Sequence, residues 1–399
     1  MRRALLLGVL VCVACTDAKF APETLVKDLR VLSIQAEPPE VGPGEVSRLS
    51  VLKSDAAPGV PTSVIWVGCE PDPQDLGQSA CNDAEILLRP TQITDYPPGL
   101  QLLGFGLSAG YRSTNAVFDV LPPADPVRQG GSVGQVLSLV IGEDVDPLAT
   151  GDKLRGYFER IEQKVTPVVV ALTRVLVSEK PPAERNRNPG IVSLSIEGAR
   201  HPRSGRVGVL PGQRVSLGVT VPDDVRQTYT VKLSTGDVTR TEKVVGAWYS
   251  SHGRFSAERF DTETGETVSF IAPGSMEFPE DPVPERRQGT LWLVVRDDRG
   301  GQSFERYPFF VCDPALPNPV VQSITPPATP DGQVVVTGEN LSGVLDVVVG
   351  DAALARGAFS QASQTYLGDA PSLPSGSYPV TVRGRNCGEQ TTTLRYVVP

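Results

Sequence analysis

Histidine and methionine each occur only twice in this chain of 399 residues, and aromatic residues make up 6% of it. A zinc site needs nearby histidines or a C-x2-C spacing of cysteines, and the sequence offers neither. So few aromatic residues leave no evident platform for stacking sugars, and core packing is the expected role of Trp248, Tyr249 and Phe255. Positive charge is also scarce, with 37 Lys and Arg against 46 Asp and Glu and a formal net charge of −9. That balance argues against a nucleic-acid-binding protein, which needs a basic surface to displace counterions.

The common catalytic motifs are missing as well: the sequence contains no H-E-x-x-H, G-x-S-x-G or P-loop motif. His201 lies in a turn rich in Pro and Gly, where we expect it to be exposed and structural. His252 follows Ser250 and Ser251 and precedes Asp261, which raises the possibility of a Ser-His-Asp triad. Such a triad is recognised by geometry rather than by adjacency, and we interpret the segment as a hairpin tip beside a buried tryptophan. No catalytic residue is predicted.

Acidic residues form two groups that offer oxygen ligands for calcium, Asp297 with Asp298 and Glu70 with Asp72 and Asp75. Calcium takes about six to eight oxygens, often from carboxylates at alternating positions. Neither group matches an EF-hand or a repeat pattern. Solvated turns are therefore expected, and no metal or cofactor is predicted.

Long apolar runs are absent after the first residues of the chain. At the start, Arg2 and Arg3 precede an apolar and small run over residues 4–14, which Cys15 closes. A charged start, a short apolar run and a small residue before the cut are typical of a secretory signal. The run is too short for a membrane helix, which needs roughly 20 apolar residues.

Residues 12–15 read Cys-Val-Ala-Cys and resemble the lipobox of bacterial lipoproteins, whose usual form is Leu, a small residue, Ala or Gly, and then Cys. Ala14 and Cys15 fit this form, whereas Cys12 stands where the family prefers Leu. The resemblance implies cleavage after Ala14 and lipidation, including palmitate, on Cys15. A multiply acylated cysteine would hold the chain firmly, since each buried methylene adds about 0.8 kcal/mol. A plain secretory signal that is cut nearby is the alternative.

Localisation follows from the same resemblance. In the lipoprotein family, an aspartate directly after the lipidated cysteine is a signal for retention in the inner membrane. Thr16 occupies that position here. We therefore expect the cell outer membrane, with the face left open.

Four cysteines remain in the mature chain: Cys69, Cys81, Cys312 and Cys387. An even number in an exported chain predicts two disulfides, for which three pairings exist. The pairing that we favour is Cys69–Cys81, closing a local loop, and Cys312–Cys387, joining the end of one domain to a late hairpin of the next.

Glycine (39 residues) and proline (37 residues) punctuate the chain, as in proteins with many turns and short strands. Period-two alternation, for example over residues 215–221, predicts strands with one buried face. Short strands at this spacing favour β-sandwiches. In the first part of the chain the predicted strands span residues 27–36, 46–52, 64–67, 100–107, 115–121, 136–141 and 168–177.

One segment breaks the β pattern. Leu154, Phe158, Ile161 and Val165 fall at i, i+4, i+7 and i+11, which is one face of a helix. Pro167 would end this helix. We expect an insertion packed on the edge of the first sandwich, and a docking surface for a partner is the alternative.

The last part of the chain carries a family pattern. Residues 324–326 read I-x-P, residues 334–341 read V-x-V-T-G-x-x-L and residues 376–382 read G-x-Y-x-V-x-V. These pieces, in this order, resemble the IPT/TIG domain, which implies an immunoglobulin-like sandwich of about seven strands. TIG domains of exported bacterial proteins are mostly structural or adhesive. The hairpin at residues 291–311, with its RDDRGG turn, resembles the end of PKD-type modules of bacterial surface proteins.

The predicted fold class is all-β, with three tandem immunoglobulin-like β-sandwich domains and one short helix in the first. The predicted division of the chain is a lipoprotein signal peptide (1–14), a lipidated tether (15–26), a β-sandwich domain with a helical insertion (27–177), a linker (178–190), an Ig-like β-sandwich domain (191–312), a second linker (313–319) and an IPT/TIG-like domain (320–399). Both linkers are rich in proline, and the first has almost nothing to bury, so we expect semi-rigid connections.

Together these features resemble lipoproteins of Gram-negative, myxobacterial-type envelopes. We therefore predict a lipid-anchored cell-envelope protein with a structural, adhesive or protein-binding role and without catalysis. Its partners would be the membrane, through Cys15, and an envelope protein or a glycan. Two hypotheses stay open: a secreted or anchored hydrolase with a site in the first domain, and a carbohydrate- or calcium-binding surface module.

Overall fold

The structure is a computed structural model that describes residues 23–55, 59–74, 100–233, 236–327 and 332–398. Strands dominate these residues and form three successive pairs of sheets, which we call the first, second and third sandwich. The predicted class of three tandem immunoglobulin-like β-sandwiches is confirmed. No helix within the described ranges is long and apolar enough to span a membrane.

The first sandwich packs a three-stranded sheet, β1-β3-β6, against a five-stranded sheet, β2-β8-β7-β4-β5. Its elements are β1 (Val31–Glu37), β2 (Glu40–Val41), β3 (Val46–Lys53), β4 (Ser63–Cys69), β5 (Leu100–Phe105), β6 (Ser108–Arg112), α1 (Pro126–Gly130), β7 (Ser132–Ile141), α2 (Gly151–Glu162) and β8 (Val168–Val177). Trp66 is fully buried between the two sheets, and its indole nitrogen donates to the carbonyl of Gly106 at 2.8 Å. The outer face of the five-stranded sheet is apolar as well and packs against Tyr157 of α2.

Two sequence predictions for this sandwich are wrong: the strand at residues 115–121 and the extent of the helix. Residues 115–121 form turns rather than a strand, and the strand of this region is β6. Val117 and Phe118 are nevertheless buried, because Arg128 donates to the Phe118 carbonyl at 2.6 Å and holds the turns against the core. Buried turn residues give the same apolar pattern as a short strand, and this caused the error.

The predicted helix exists as α2, but it ends at Glu162. Lys164 follows in the left-handed region at φ 56°, which is typical of a residue that terminates a helix. Val165 therefore lies outside the helix and is 67% exposed. The side chains of residues 154 and 158 are outside the described part. The short helix α1 was not predicted, although Asp125 before Pro126 is a typical helix start and its carboxylate accepts from the Val127 amide at 2.9 Å.

The second sandwich contains two five-stranded sheets, β10-β9-β12-β18-β16 and β11-β20-β19-β15-β17, and a separate β13-β14 hairpin. Its strands are β9 (Ser193–Ile196), β10 (Ala199–Arg200), β11 (Val207–Val209), β12 (Arg214–Thr220), β13 (Thr228–Leu233), β14 (Gly236–Thr241), β15 (Val244–Ser250), β16 (Arg254–Phe255), β17 (Arg259–Asp261), β18 (Val268–Ile271), β19 (Gln288–Asp297) and β20 (Gln302–Val311). The alternation predicted in β12 is present, with Val215 and Leu217 buried in the core. Trp248 is also a core residue, and its ring stacks on Phe255.

The third sandwich pairs the sheets β21-β22-β26-β25 and β24-β23-β27-β28. Its strands are β21 (Val320–Thr325), β22 (Gln333–Glu339), β23 (Val344–Val349), β24 (Ala352–Ala353), β25 (Ala355–Ser360), β26 (Thr365–Asp369), β27 (Gly376–Gly384) and β28 (Glu389–Val398). The alternating valines of β22 and β27 point into one core, which also contains Tyr366 and Tyr396. The pattern that resembled a TIG domain thus supplies the buried face of this sandwich.

The first and second sandwiches meet face to face, and we call this contact the first seam. Leu32 and Leu52 of the first sandwich pack against Trp292 and Val294 of the second. Around this apolar patch, Ser33 donates to the Gln302 side chain at 2.7 Å, and an Arg296 nitrogen donates to the Leu32 carbonyl, also at 2.7 Å. The outer faces of two sheets are therefore buried against each other.

The second and third sandwiches meet at a second seam. The Cys312–Cys387 disulfide crosses it as predicted, with a Cα–Cα distance of 5.5 Å. Asp346 is buried beside it, and its carboxylate accepts from the amide of Arg206 at 2.7 Å and from the guanidinium groups of Arg206 and Arg383. Burial raises the pKa of Asp346 above its ordinary value, while these hydrogen bonds and charges act in the opposite direction.

Candidate functional site

A groove of about 770 Å³ lies between the first and second sandwiches. Lys53 and Asp55 form one wall, and Ser251, His252 and the loop at residues 280–285 form the other. Trp292 and Arg306 also contribute to the lining. The groove includes His252, the histidine that was considered for catalysis from the sequence.

Ser251 and His252 contact each other, but they do not form a triad. The Ser251 hydroxyl lies 3.1 Å from Nδ1 of His252, and it also accepts from the Thr290 amide at 2.9 Å. In a Ser-His-Asp triad the serine faces Nε2, and the aspartate accepts from Nδ1. Asp261, the carboxylate considered from the sequence, ends β17 and accepts from the Glu263 amide at 2.7 Å. The carboxylate near His252 is Asp281, which accepts from the Gly253 amide at 2.5 Å. These bonds fix a turn, as the interpretation of a hairpin tip expected.

Burial lowers the pKa of His252 below its ordinary value, the nearby charge of Asp281 opposes that shift, and Lys27 adds to it. The imidazole is therefore neutral at pH 7. Asp281 is itself buried and lines the same wall of the groove. Trp292 places its indole nitrogen in a buried position without a hydrogen-bond partner. Lys27, Lys53 and Arg306 add cationic groups to the lining of the groove.

His201 lies elsewhere, close to the second seam, and the prediction that it is exposed is wrong. The side chain is buried, with its Nε2 atom 3.1 Å from the Gly205 carbonyl and its ring against the edge of Tyr307. Burial lowers the pKa of His201 to about 4. A neutral Nε2–H group that donates to Gly205 fits this position, and the role is structural.

The acidic groups considered for calcium have protein donors. Asp297 accepts from the amides of Arg299 and Gly301, both at 2.8 Å, and Glu70 accepts from the Thr114 amide at 3.1 Å. Asp298 accepts from a backbone amide and so does Asp72, whereas Asp75 lies outside the described residues. Within the described part of the chain, no three metal-binding side chains are grouped to hold an ion.

Sequence reasoning missed a buried ionic cluster at the opposite end of the first seam, which we call the clasp: Glu40, Lys180, Asn186, Glu242, Asp297 and Arg299. Arg299 donates to Glu40 of the first sandwich and to Glu242 of the second, at 2.9 Å in each case. The Asn186 amide donates to Glu40 at 2.8 Å, and its side chain donates to Asp297 at 3.3 Å. One arginine and one linker residue thus bridge both sandwiches.

The carboxylates of the clasp have different electrostatic environments. Burial alone would raise the pKa of Glu40, but hydrogen bonds from Ser178 and the Asn186 amide, together with Lys180, hold it below its ordinary value. Burial raises the pKa of Asp297 to about 6, and the charge of Glu242 adds to this shift. In the sequence, Glu40 lies in a proline-rich turn and Arg299 in a hairpin turn, which are positions usually exposed to solvent. The signal in the sequence for this cluster was the run of Arg and Asn residues in the linker.

Some of the cysteines with predicted roles lie within the described residues and others lie outside them. Cys312–Cys387 is present as described above. Cys69 is disulfide-bonded and fully buried at the end of β4, and Cys81, its predicted partner, lies outside the described residues. Cys15, predicted to carry the lipid, also lies outside them.

Residues 319–396 match the IPT/TIG domain family, which agrees with the resemblance found in the sequence. Among curated proteins no significant match is found. Similar solved structures include a Bacteroides ovatus mixed-linkage glucan utilization locus protein, SGBP-B, in complex with a mixed-linkage heptasaccharide; it is 14% identical, with 96% of this chain and 69% of that chain covered and a TM-score of 0.18.

Extracellular domains 3–5 of Drosophila OTK are also similar, with 13% identity, 95% of this chain and 99% of that chain covered, and a TM-score of 0.16. Three N-terminal domains of the bacteriophage RB49 highly immunogenic outer capsid protein are 9% identical, with 89% and 91% covered and a TM-score of 0.17. These TM-scores are low, and the fold assignment depends on the sheets themselves.

Proposed function

We propose that this protein is a lipid-anchored cell-envelope protein of the outer membrane, with a structural, adhesive or protein-binding role and without catalysis. The observation that carries the proposal is the pair of seams. The first buries an apolar patch and the clasp, and the second is crossed by Cys312–Cys387 and Asp346. Contacts of this kind hold surfaces at set positions, which a structural or adhesive protein requires.

The lipid anchor on Cys15 supports the envelope assignment and is tested by intact mass and membrane fractionation in a Gram-negative host. The wild-type protein should carry acyl chains and sediment with outer membranes, while Cys15→Ser should be soluble. Cys12→Leu is the matched control, since it restores the residue that the lipobox prefers and should leave acylation intact. An unmodified wild-type protein in the soluble fraction would refute the anchor.

A carbohydrate-binding role at the groove is the second candidate. Its volume of about 770 Å³ falls within the roughly 300–1,000 Å³ usual for ligand sites, and hydroxyl, imidazole and guanidinium groups line it. A glycan array followed by calorimetric titration tests this role. Arg306→Ala should abolish binding, and Arg395→Ala, an exposed arginine of the third sandwich, should not. A flat array would remove this candidate.

A further inference from the structure

The first described residues of the chain are docked onto the second sandwich. Leu25 and Val26 are buried, and Leu25 lies beside Ser250 in a parallel bridge. The Val26 amide donates to the Ser250 carbonyl, and the Ser250 amide donates to the Thr24 carbonyl, both at 2.8 Å. The segment therefore leaves the protein from a fixed place at the end of β15.

The contact of this segment with Ser250 marks one end of the first and second sandwiches. Ser250 lies opposite Leu291 in the sheet, whereas the clasp residue Asp297 lies opposite Val244 at the other end of the same strands. The groove, which includes Val26 and Lys53, belongs to the Ser250 end of both sandwiches. We call this the tether end and the opposite one the clasp end.

The most exposed apolar side chains gather at the tether end. Among the described residues, the three most exposed large apolar side chains are Met276 at 97%, Leu148 at 82% and Val165 at 67%. Leu107, also at the tether end, follows at 59%, and Val120 at the clasp end has the same exposure. The four at the tether end lie in loops or turns rather than on the sheet faces.

The pairing of the neighbouring strands puts each of these loops at the tether end. Leu107 sits between β5 and β6, and its carbonyl accepts from Val51, close to the groove residue Lys53. Leu148 and Val165 lie on either side of α2, in the connection between β7 and β8. The residues at the two ends of this connection, Ile141 and Val168, pair with each other at the tether end of the sheet. Met276 lies in the loop after β18 that continues into the groove wall at residues 280–285.

The chain enters the third sandwich at this end, because Val311 lies beside Arg287, just after the groove wall, and the third sandwich then runs back along the second. Its contacts run along the β11 side of the second sandwich, from Leu345 beside Phe310 to Asp351, whose carbonyl accepts from the Arg203 amide at 3.0 Å. Arg203 precedes β11, which runs parallel to β20 towards Val311. The third sandwich therefore lies beside the second rather than under the groove.

We infer that the tether end is a membrane-facing surface, with Leu107, Leu148, Val165 and Met276 contacting the headgroup region of a phospholipid bilayer. The inference rests on the proposed lipidation of Cys15. Thr24 lies nine positions after Cys15, so the lipid lies within roughly 30 Å of the docked segment even when the tether is fully extended. These side chains lie in four separate loops at the end that carries the anchor, and apolar groups near an anchor settle in the interfacial layer.

The test is depth-dependent quenching in the acylated full-length protein. An environment-sensitive fluorescent amino acid replaces Met276 in one sample and Val120 in another, and the protein is reconstituted into phosphatidylcholine vesicles that contain a quencher in the headgroup region. Val120 is a matched control, since it is exposed to the same extent as Leu107 at 59% but lies in the turns after β6, at the clasp end. Intact mass of each sample reports the acylation separately.

The expected result is about a twofold loss of fluorescence at position 276 and little change at 120, because interfacial contact reaches only about 5–10 Å into the bilayer. With the reporter at Leu107, the combined change Leu148→Glu, Val165→Glu and Met276→Glu should reduce quenching, and Val120→Glu should not. Equal quenching at 276 and 120 in acylated protein overturns the membrane-facing surface and leaves the anchor standing. An unacylated product overturns both.

Discussion

Glu40 has no exposed surface, and four donors converge on its carboxylate: Ser178, Lys180, the Asn186 amide and Arg299. A buried charge is tolerated only when it is paired and hydrogen-bonded, because its desolvation is unfavourable by several kcal/mol. The neighbouring Glu242 shares the same arginine and is almost fully buried. Arg299 is thus the cation of the clasp that serves carboxylates from both sandwiches, whereas Lys180 pairs with Glu40.

Replacing Arg299 should therefore be severely destabilising. We expect Arg299→Met to lower the free energy of unfolding by about 3–5 kcal/mol, the usual effect of leaving a buried charge unpaired. Arg356→Met is the control, because Arg356 is mostly exposed in its pair with Asp369 and an exposed pair contributes about 0–1 kcal/mol. Urea unfolding followed by tryptophan fluorescence measures both. Equal midpoints for the two variants would contradict the role of the clasp.

Asp297 gives the clasp a pH dependence of known sign. Burial and Glu242 raise its pKa to about 6 from the usual 3.8, so the folded state holds a proton that the unfolded state has released. The contribution of this group to stability therefore increases as the pH falls from about 6 towards 4, and the charged carboxylate lowers stability at pH 7.5.

We expect Asp297→Asn to be more stable than the wild type at pH 7.5 by about 1–3 kcal/mol, with the difference shrinking towards pH 5. The new amide keeps its oxygen as the acceptor for the Arg299 and Gly301 amides. Its NH2 group replaces the oxygen that accepts from Asn186, so a flip of the Asn186 amide is needed to present the side-chain oxygen that is buried without a partner. Unfolding curves across this pH range measure the difference, with the exposed Asp298→Asn as control. A variant that is less stable than the wild type at pH 7.5 would count against the raised pKa.

At the scale of elements, the sequence was informative wherever burial follows a simple period. The ten residues of β8 match the predicted strand, and β12 follows its predicted alternation. Errors arose where side chains are buried without a period, as in the turns at residues 115–121 and at His201. The seams were invisible because they join residues far apart in the chain, and Leu32 meets Trp292 only after both sheets have formed.

The Cys312–Cys387 disulfide was predictable, since few cysteines remained and one lay at the end of each neighbouring module. The bond closes a loop with a sequence separation of 75 residues. In the chain-entropy account a loop of this length contributes about 4–5 kcal/mol by restricting the unfolded chain. Its position at the second seam makes it an anchor for the third sandwich.

We expect the double change Cys312→Ala and Cys387→Ala to lower the stability of the third sandwich by about 2–5 kcal/mol and to expose residues 313–319 to proteases. Limited proteolysis with mass spectrometry measures the cleavage. Ser377→Ala, at an exposed position of β27 in the same sandwich, serves as a control for non-specific effects. Unchanged cleavage and stability would mean that Asp346 and its arginines hold the second seam without the disulfide.

At the scale of the whole molecule, residues 178–190 act as part of the first seam. The expectation that this linker has almost nothing to bury is wrong, because Ser178 and Asn186 are buried. Asn188 donates to the Ala36 carbonyl at 2.7 Å and accepts from the Gln302 amide at 2.9 Å, so it touches both sandwiches. From sequence alone, charged and amide side chains are expected to be exposed to solvent. Here they form hydrogen bonds with buried polar groups across the seam.

A shared seam of this kind predicts cooperative unfolding. In scanning calorimetry we expect the first and second sandwiches of the wild type to melt in one transition. Leu32→Glu should split this transition in two, because Leu32 packs in the seam rather than in the core of its own sandwich, and an unpaired charge there is unfavourable by several kcal/mol. Leu172→Glu is the matched control, since this leucine is half exposed on β8 and should leave the single transition intact. Two separate transitions in the wild type would show that the seam is too weak to couple the sandwiches, and the proposal of fixed, rigidly displayed surfaces would fall with it.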